Sequence, residues 1–387
     1  MTDRLYEKDG TMLDFEARVL SCESRGDRWA VILDRTSFFP GGGGQEPDSG
    51  CLGSCRVVTC AEEEGEVVHI TDAPLKEGAA VSGSPDKEIR FRRMQDHTGE
   101  HILSGTAHRL FGCDNVGFHM DPGLVTVDLS AVLDAGDVER LETQANLAVL
   151  DDVPITCLFP STEELDGIQY RSKGELKGQV RLVRIEGVDL CACCAPHLVR
   201  SGQVGLIKIM SFEKHRGGTR LTAAAGLDAL DDFREKSRSV LEISNLLSAK
   251  KEMVAPAVKN LQEGCEGLRR ENAELRRRLL GYRICQLRPC GGNMVLFEDA
   301  LDDEGLRELV NAGAEKCGGF CAVFTPDGTG GYRYAAGSRN MDMKKLASSF
   351  NLAVGGRGGG SSLMIRGACT ASREEIEKAF SKPDGSE

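Results

Sequence analysis

Two pairs of potential metal ligands stand out in the sequence, each with the spacing ligand-x-x-x-ligand. His97 and His101 form the first pair, and Cys193 and His197 form the second. Residues four apart lie on the same face of a helix, so two side chains with this spacing can bind one ion together. Three imidazoles and one thiolate form a nitrogen-rich, partly soft ligand set that suits tetrahedral Zn²⁺. The two pairs therefore predict a zinc protein and favour a hydrolase.

Neighbouring residues leave the ligand set and the chemistry partly open. Cys191 and Cys194 are rival thiols, and Cys193 is preferred because it lies four residues before His197. Mononuclear catalytic zinc sites often keep three protein ligands and one open position, whereas structural sites are closed. Four protein ligands therefore leave open whether the site is catalytic or structural.

The first pair also fits the pattern His-x-x-Glu-His, in which Glu100 precedes His101. Inverted zinc peptidases have this pattern, and their glutamate is the general base. Such an enzyme usually takes a further carboxylate ligand from a later helix, whereas this chain offers Cys193 and His197. A zinc peptidase is therefore the less favoured alternative.

A run of four glycines, Gly41 to Gly44, lies between Pro40 and Gln45. Each glycine costs backbone entropy on folding, so local propensity does not explain the run. Glycines let the backbone approach a ligand with exposed N–H groups, although a flexible surface turn has the same composition. No Gly-Lys-Ser or Gly-Lys-Thr follows, which excludes a Walker loop. A second glycine-rich segment, Gly355 to Ser361, contains Arg357 and is either a turn or a point of approach to phosphates.

The composition is that of a globular chain. Of its 387 residues, 40% are apolar and 28% are charged. No run of 18 apolar residues exists, so no membrane span is expected, and the charged first ten residues predict no secretory signal. The 15 cysteines are expected to be reduced thiols in a cytoplasmic protein.

The net charge of −12 argues against tight, non-specific DNA binding, because such proteins usually have a locally basic surface. A local basic patch is still present. The segment from Lys236 to Arg283 has 11 Lys and Arg against 6 Glu. Its densest part includes Arg276, Arg277 and Arg278.

The pattern of apolar residues predicts an α+β chain with four parts. Residues 1–89 alternate apolar and polar in short runs, which predicts a small β-barrel. Residues 90–226 predict two helices on an antiparallel sheet. Residues 227–283 read as a helical linker, and residues 284–387 read as a C-terminal α/β domain.

The linker has a clear helical pattern. An apolar residue recurs every seven positions from Phe233 to Leu275, which indicates a straight apolar seam. The companion heptad position carries charged residues such as Lys236 and Arg278, so a strong two-stranded zipper is not expected. Pro256 is expected to break the helix near Ala255 and to leave two helices.

Taken in order, these motifs resemble those of the alanyl-tRNA editing proteins, the AlaX family, whose modules also occur in the editing part of alanyl-tRNA synthetase. Residues 34–45 match the glycine-rich signature, residues 93–104 match the His-x-x-x-His helix, and residues 188–209 match the Cys-x-x-x-His region. The helical linker and the segment Gly355 to Ser361 resemble the C-terminal domain shared with the synthetase and with DHH-type phosphoesterases. This combination is typical of the long form of the family. No class II aminoacylation core fits upstream, so the chain resembles an editing protein and not a synthetase.

The resemblance implies a zinc-dependent deacylase that hydrolyses the ester between a wrong amino acid and the 3′ end of tRNA(Ala). Serine is the first expected amino acid and glycine the second. The zinc ligands would be His97, His101, Cys193 and His197. Glu100 is a candidate base, although its place next to His101 is expected to turn it off the ligand face. The candidate substrate-binding residues are Thr36, Gly42, Gly43, Gly44 and Gln45.

The C-terminal module has two open roles under this resemblance, namely binding the tRNA body and forming a homodimer. The arginines expected near tRNA phosphates are Arg276, Arg277, Arg278 and Arg357. A non-catalytic zinc protein that binds tRNA is the main alternative to an enzyme. No membrane partner is expected.

One departure from the family pattern lies inside the second ligand pair. The family usually has Gly-Thr before the final histidine, whereas this chain has Ala195-Pro196. The ligand spacing is kept, but any hydrogen bond from that threonine is lost. The departure therefore bears on substrate discrimination more than on metal binding.

Overall fold

The chain is an α+β protein, as the sequence predicted, with several sheets and with helices of very different length. The computed structural model describes residues 2–172 and 179–380. The chain divides into two compact units, Met1–Ile243 and Ser244–Glu387, and the finer division into four parts stays a prediction. Within the described ranges, no helix has the length and apolar character needed to cross a membrane.

A small closed barrel forms the first part of the unit Met1–Ile243. Its elements are β1 (Asp3–Arg4), α1 (Leu5–Lys8), β2 (Phe15–Arg25), β3 (Arg28–Leu33), β4 (Arg35–Thr36), β5 (Gly50–Leu52), β6 (Cys55–Glu63), β7 (Glu66–Thr71) and β8 (Ala80–Pro85). The barrel order is β2-β3-β7-β6-β5-β8, and β1 pairs in parallel with β4. Phe15, Ala17 and Val19 of β2 lie in the barrel core, and the residues between them are exposed, as the two-residue period of a strand requires.

The rest of this unit packs helices against two antiparallel sheets. Its elements are α2 (Lys87–Phe111), β9 (Asn115–Asp121), β10 (Leu124–Leu129), α3 (Ala135–Leu150), β11 (Ile155–Leu158), α4 (Thr162–Leu165), β12 (Leu182–Ile185), β13 (Asp189–Ala192), β14 (Ile207–His215) and β15 (Gly218–Ala225). The four-stranded sheet has the order β14-β15-β10-β9, and the three-stranded sheet has the order β11-β12-β13. The sequence predicted one sheet here. Apolar spacing identifies strands but does not say which strands pair, because pairing depends on residues far apart in the chain.

Helix α2 positions the first pair of candidate ligands. It spans 25 residues, and Gly112 forms its C-terminal cap. Gly112 has a left-handed φ of +61°, and its N–H donates to the carbonyl oxygen of His108. Ile102, Leu103 and Ala107 share one buried cluster with α3 and the sheets. The helix is buried without interruption from Met94 to Ala107. His97 and His101 are therefore inside the protein, whereas His108 in the last turn of α2 is exposed.

Two long helices follow, α5 (Gly226–Leu246) and α6 (Val254–Gln286). The expected break near Ala255 is wrong in position, because the helices separate between Leu246 and Val254 and Pro256 lies in the first turn of α6. Proline is tolerated there because the N–H that it lacks would have no partner inside the helix. Leu280 is the buried residue of α6, and the rest of this helix is exposed or half-buried.

A five-stranded sheet forms the core of the unit Ser244–Glu387. Its elements are β16 (Met294–Phe297), α7 (Asp303–Ala314), β17 (Cys321–Pro326), β18 (Tyr332–Gly337), α8 (Met343–Ala353), β19 (Gly356–Gly360), β20 (Met364–Cys369) and α9 (Arg373–Phe380). The strand order is β16-β17-β18-β20-β19, and β16 and β17 are parallel. Successive residues of β17 serve different faces, because Val323 packs with α7 and Phe324 packs with α8.

The second glycine-rich segment forms the edge strand β19 and is not only a turn. A Cβ at Gly358 would lie 2.5 Å from the hydroxyl of Tyr334 and 2.2 Å from the carbonyl oxygen of Arg366. At this position glycine is required by close packing of the strand on its neighbours.

Candidate metal centre

The four proposed ligands converge on one point in the unit Met1–Ile243. Helix α2 presents His97 and His101 on one face, and the loop after β13 supplies Cys193 and His197. Their ligand atoms all lie within 4.8 Å of one another. The three histidines are buried and Cys193 is half-buried.

The spacing of these atoms fits one tetrahedral zinc ion. Cys193 Sγ lies 3.5 Å from Nε2 of His97 and 3.3 Å from Nε2 of His197. With usual Zn–N and Zn–S bond lengths, neighbouring ligand atoms of a tetrahedral site lie roughly 3.3–3.6 Å apart. Nε2 of His101 is buried and has no hydrogen-bond partner among the described residues. Because buried polar atoms are normally paired, this orphan nitrogen and the donor set together fit a metal.

Each ligand histidine also has a hydrogen-bond partner on its other nitrogen. The pairs are His97 Nδ1 with Gln45 Oε1 at 2.9 Å, His101 Nδ1 with Asp189 Oδ2 at 3.0 Å, and His197 Nδ1 with Thr98 Oγ1 at 3.3 Å. A carboxylate only accepts hydrogen bonds, so His101 carries its proton on Nδ1 and keeps a lone pair on Nε2. Such partners orient metal-binding imidazoles and fix their tautomer.

Asp189 is itself held in place. Arg171 donates two hydrogen bonds to its carboxylate, both at 2.8 Å. Burial opposes ionisation of Asp189, but the hydrogen bonds from His101 and Arg171 keep the pKa of this carboxyl below its usual value. The acceptor behind His101 therefore stays ionised over the physiological pH range.

A second group of potential ligands shares one histidine with the first. His101, Asp189 and Cys191 also have ligand atoms within 4.8 Å. The carboxylate of Asp189 already pairs with Arg171 and accepts a hydrogen bond from His101, so this second group is a weaker candidate site for a cation. Cys194 is exposed and belongs to neither group. The arrangement favours Cys193 as the thiolate ligand.

Glu100 lies closer to the centre than the sequence suggested. Its Oε2 is 3.9 Å from Nε2 of His101, so the side chain is not turned off the ligand face. Ser104 and Asn115 each donate a hydrogen bond of 2.5 Å to its other oxygen, Oε1. Contacts with β9, which the linear sequence does not reveal, hold the carboxylate beside the ligands.

The glycine run, Gly41 to Gly44, forms a hydrogen-bonded turn. All residues from Gly41 to Gly44 have positive φ, between +59° and +129°, which glycine adopts without strain. A Cβ at Gly44 would lie 2.6 Å from the ring of Phe118, and that ring packs against His97 with centroids 5.0 Å apart. Two backbone hydrogen bonds of 3.0 and 3.1 Å join Gly42 and Gln45. The run therefore brings Gln45 to His97.

Only one of the two polar side-chain atoms of Gln45 has a hydrogen-bond partner among the described residues. Its Oε1 is bonded to His97, whereas its Nε2 is buried and has no hydrogen-bond partner among the described residues. Sequence reasoning proposed this residue as a wall of the substrate pocket. In the structure its side chain contacts the candidate ligand His97, and its second polar atom is a buried donor.

Thr36 is not directed to the ligands. It is fully buried, and its hydroxyl lies 2.8 Å from Nε2 of His69 and accepts a hydrogen bond of 3.0 Å from the Phe38 amide. His69 bonds the carbonyl oxygen of Val31 through Nδ1 at 3.0 Å. Thr36 thus belongs to a polar network of the barrel.

The Ala195-Pro196 departure is accommodated by packing. Ala195 is fully buried with Tyr6 and Phe39. A hydroxyl is still present next to His197, because Thr98 of α2 lies 3.3 Å from its Nδ1 and accepts a hydrogen bond of 3.3 Å from the Leu198 amide. The hydroxyl next to His197 therefore comes from Thr98 on α2 and not from the loop that carries His197.

Sequence reasoning missed the arginines that hold the centre together. Fully buried Arg90 bonds Asp48, and it also donates to the carbonyl oxygens of Ser37 at 2.6 Å and Gly10 at 3.0 Å. A Cβ at Gly10 would lie 2.6 Å from the carbonyl oxygen of His197. Arg90 precedes the candidate ligand His97 by two helical turns and shares its face. This spacing is the feature of the sequence that places Arg90 near the centre.

Arg181 supports the loop that carries the second ligand pair. It is buried, and it donates to the carbonyl oxygens of Cys193 at 2.7 Å and Ala195 at 2.9 Å. Its Nε donates to the carbonyl oxygen of Glu7 at 2.9 Å. A buried arginine is rare, so a single sequence gives little reason to expect one.

The arginines proposed to meet tRNA lie in the unit Ser244–Glu387. Arg276 and Arg277 line a cleft of about 780 Å³ between α6 and the start of α7. Arg278 is exposed and donates a hydrogen bond of 2.7 Å to Glu274 on the same helix. Arg357 is exposed on the edge strand β19.

Comparison with known proteins gives a consistent result. The matching family model is the threonyl and alanyl tRNA synthetase second additional domain, over residues 180–221, which include Cys193 and His197. The chain is 28% identical to the alanine–tRNA ligase of Ignicoccus hospitalis over 99% of its length, but it spans only 44% of that ligase.

Two editing proteins match over more of their own length. The chain is 26% identical to the alanyl-tRNA editing protein AlaX-L of Pyrococcus horikoshii, over 97% of this chain and 96% of that protein. It is 30% identical to the alanyl-tRNA editing protein Aarsd1 of Danio rerio, over 70% of each chain. With its ligands gathered at one centre and this degree of similarity, the chain belongs to the family of alanyl-tRNA editing proteins.

Proposed function

We propose that the protein is a zinc-dependent deacylase that hydrolyses the ester between a wrong amino acid and tRNA(Ala). The observation that carries the proposal is the convergence of His97, His101, Cys193 and His197, with an orphan Nε2 on His101. Relatives named as alanyl-tRNA editing proteins match the chain over nearly its whole length. The site and the family point to the same chemistry.

The metal and a nearby base would have different roles in ester hydrolysis. When bound, Zn²⁺ would polarise the ester carbonyl or lower the pKa of a water molecule. An aminoacyl ester is already reactive, so a modest reduction of the barrier suffices. Four protein ligands favour a role of the metal in positioning, and proton transfer is then left to a nearby base. Glu100, whose Oε2 lies 3.9 Å from His101 Nε2, is the candidate base, with the terminal ribose hydroxyl of the tRNA as the alternative.

Gln45 is the candidate for recognising the amino acid. Its buried Nε2 has no acceptor among the described residues, so it can donate a hydrogen bond to a serine hydroxyl. A bound alanine would leave this donor unpaired, and an unpaired buried donor costs about 1–3 kcal/mol. This contrast would favour serine over alanine. The exposed backbone of Gly42, Gly43 and Gly44 would form the adjacent wall.

A cleft of about 700 Å³ lies beside the groups that support Glu100 and His101, and it is large enough for a nucleotide. Asn115 and Asp189 line it, and they are also the hydrogen-bond partners of Glu100 and His101. Arg109 and Tyr170 line it as well, and they offer a charge for phosphate and a ring for a base. We assign a nucleotide next to the 3′ end of the tRNA to this cleft, because neither the four ligands nor Gln45 line it.

The C-terminal unit is proposed to serve tRNA binding, through Arg276, Arg277, Arg278 and Arg357, or homodimerisation. Exposed apolar side chains on α6 support the second role, since Leu268 is 67% exposed and Leu279 is 68% exposed. Light scattering of the purified protein would show a dimer directly. A tRNA substrate is consistent with a cytoplasmic location.

Deacylation of Ser-tRNA(Ala), Gly-tRNA(Ala) and Ala-tRNA(Ala), compared side by side with zinc present, tests the proposal. Faster release of serine than in buffer, with little release of alanine, is expected. No acceleration for any of the three would leave a non-catalytic, zinc-containing tRNA-binding protein. Cleavage of unstructured peptides would support the peptidase alternative instead.

A further inference from the structure

Two cysteines of the C-terminal unit are paired across neighbouring chain segments. Cys290 and Cys317 form an isolated parallel bridge. The Cys290 amide donates to the carbonyl oxygen of Lys316 at 2.9 Å, and the Gly318 amide donates to the carbonyl oxygen of Cys290 at 3.0 Å. Residues paired in this way lie about 4.8 Å apart and point to the same side of the sheet. A disulfide needs Cα atoms about 4.4–6.8 Å apart, so the backbone geometry suits one.

The two thiols differ in accessibility. Cys290 is exposed, whereas Cys317 is only 7% exposed. Burial, together with the nearby Cys290, raises the pKa of the Cys317 thiol above its usual value. An oxidant in solution therefore meets Cys290 first, and Cys317 reacts mainly with a sulfur that Cys290 presents to it.

The pair lies at the joint between α6 and the sheet. Lys316 Nζ donates to the carbonyl oxygens of Ile284 at 3.1 Å and Leu287 at 3.0 Å, at the end of α6. Leu280 and Leu287 pack into the same buried cluster as Cys317. Since most of α6 is exposed, these contacts at its C-terminal end attach the helix to the sheet.

We propose that Cys290 and Cys317 are a reversible redox pair whose disulfide locks the C-terminal end of α6 to the sheet. The oxidant is a low-molecular-weight disulfide such as oxidised glutathione. The Cys290 thiolate attacks one of its sulfurs, forms a mixed disulfide and releases one thiolate. Cys317 then loses its proton to solvent and attacks the Cys290 sulfur, which forms the protein disulfide and releases the second thiolate. Two protein thiols are oxidised and one small disulfide is reduced.

Mass spectrometry of the full-length, zinc-loaded protein tests the proposal. The protein is incubated with oxidised glutathione, alkylated, digested without reduction and mapped. A peptide pair linked through Cys290 and Cys317 is expected, and reduced glutathione should remove it. Cys317→Ser should stop at the mixed disulfide on Cys290, and Cys290→Ser should leave Cys317 unmodified. Cys265→Ser, which removes another exposed thiol of this unit, is the matched control and should keep the link.

A second measurement asks whether the link acts at the joint. Hydrogen exchange of the last turn of α6 should become slower on oxidation in the wild type, and it should not change in Cys317→Ser. The proposal is overturned if Cys290 carries a stable glutathione adduct while Cys317 stays reduced in the wild type. A dominant link between Cys317 and Cys321, or between Cys285 and Cys290, would also overturn it. Zinc content, measured in parallel, separates these outcomes from oxidation of Cys193.

Discussion

At the candidate centre, the ligand histidines depend on the groups behind them. Gln45, Asp189 and Thr98 each contact the Nδ1 atom of one ligand histidine. These partners come from the glycine-run turn, from β13 and from α2. Loss of such a partner usually weakens metal binding about 10–100-fold. Zinc affinity is therefore a test of the hydrogen-bond partners as well as of the ligands.

Replacement of Gln45 by leucine should lower zinc affinity about 10–100-fold, because His97 loses the acceptor for its Nδ1 proton. Competition with a chromophoric chelator measures the affinity. Thr36→Val is the control, since its hydroxyl bonds His69 in the barrel. This control should lose about 1 kcal/mol of stability and keep its zinc affinity. Wild-type affinity in Gln45→Leu would contradict the proposed role of the glutamine.

Replacement of Glu100 by glutamine should lower the deacylation rate about 10²–10⁴-fold without loss of zinc. The amide oxygen can still accept the hydrogen bonds that Ser104 and Asn115 donate, so the fold and the ligands are preserved while the basic oxygen is lost. Single-turnover deacylation and elemental analysis measure the two effects. An unchanged rate would assign proton transfer to the ribose hydroxyl or to water.

His69 makes the barrel sensitive to acid. Burial lowers the pKa of His69 from 6.5 to about 4. Below pH 6.5 the unfolded chain binds a proton that the folded barrel excludes, so stability is complete above this pH and falls as the pH approaches 4. The full loss is about 3 kcal/mol. Urea unfolding, followed by the fluorescence of Trp29 in β3, should show this loss in the wild type and a smaller one in His69→Gln. Equal pH dependence in both proteins would show that His69 is not its source.

At the scale of elements, close contacts of α2 set the position of the centre. A Cβ at Gly105 would lie 2.6 Å from the carbonyl oxygen of Val188 and 2.7 Å from Cβ of Asp189. Gly105→Ala should therefore push β13 away from α2, cost about 1–3 kcal/mol and weaken zinc binding through Asp189. Gly136→Ala in α3, where the nearest atom is 3.4 Å away, is the matched control. It should be neutral or stabilise the protein by up to about 1 kcal/mol. Urea unfolding followed by circular dichroism compares them, and equal effects would refute the role assigned to this contact.

The sequence predicted those helices and strands that depend on the spacing of residues close together in the chain. The alternation from Phe15 to Val19 predicted a barrel strand, and the structure has β2 there. The helix with His97 and His101 was also predicted, because ligand spacing and apolar spacing both have the helical period. Pro256 was misjudged because proline breaks a helix interior but not a first turn.

Contacts between distant segments could not be predicted in the same way. The spacing of Arg90 from His97 places it on the same helix face, but only the fold brings its partner Asp48 beside it. Asn115 and Glu100 are fifteen residues apart, and only the packing of β9 on α2 joins them. The ligand set could be proposed because its members are chemically distinctive, whereas their supporting groups are common residue types.

At the scale of the whole molecule, binding of the tRNA body and the chemistry are proposed to reside in different units. The candidate centre lies in Met1–Ile243 and the proposed tRNA-binding arginines lie in Ser244–Glu387. The net charge is −12, so attraction to tRNA must come from local basic surface. Contacts with phosphates release counterions and make binding strongly dependent on salt. Salt dependence is therefore the most direct probe of the C-terminal unit.

Combined replacement of Arg276 and Arg277 by alanine should raise KM for Ser-tRNA(Ala) and leave kcat unchanged, because these side chains lie outside the unit with the candidate zinc ligands. Each lost phosphate contact should reduce the slope of log affinity against log salt by about 0.7–0.9. Arg234→Ala, which removes an exposed arginine paired with Asp231 in the first unit, is the control and should keep the wild-type slope. Deacylation of a short acceptor-stem helix should not distinguish the variant from the wild type if the arginines bind the tRNA body. If the double variant keeps both its KM and its salt slope on full-length tRNA, the basic face of α6 is not the tRNA-binding surface, and the exposed leucines of the same helix become the more informative feature.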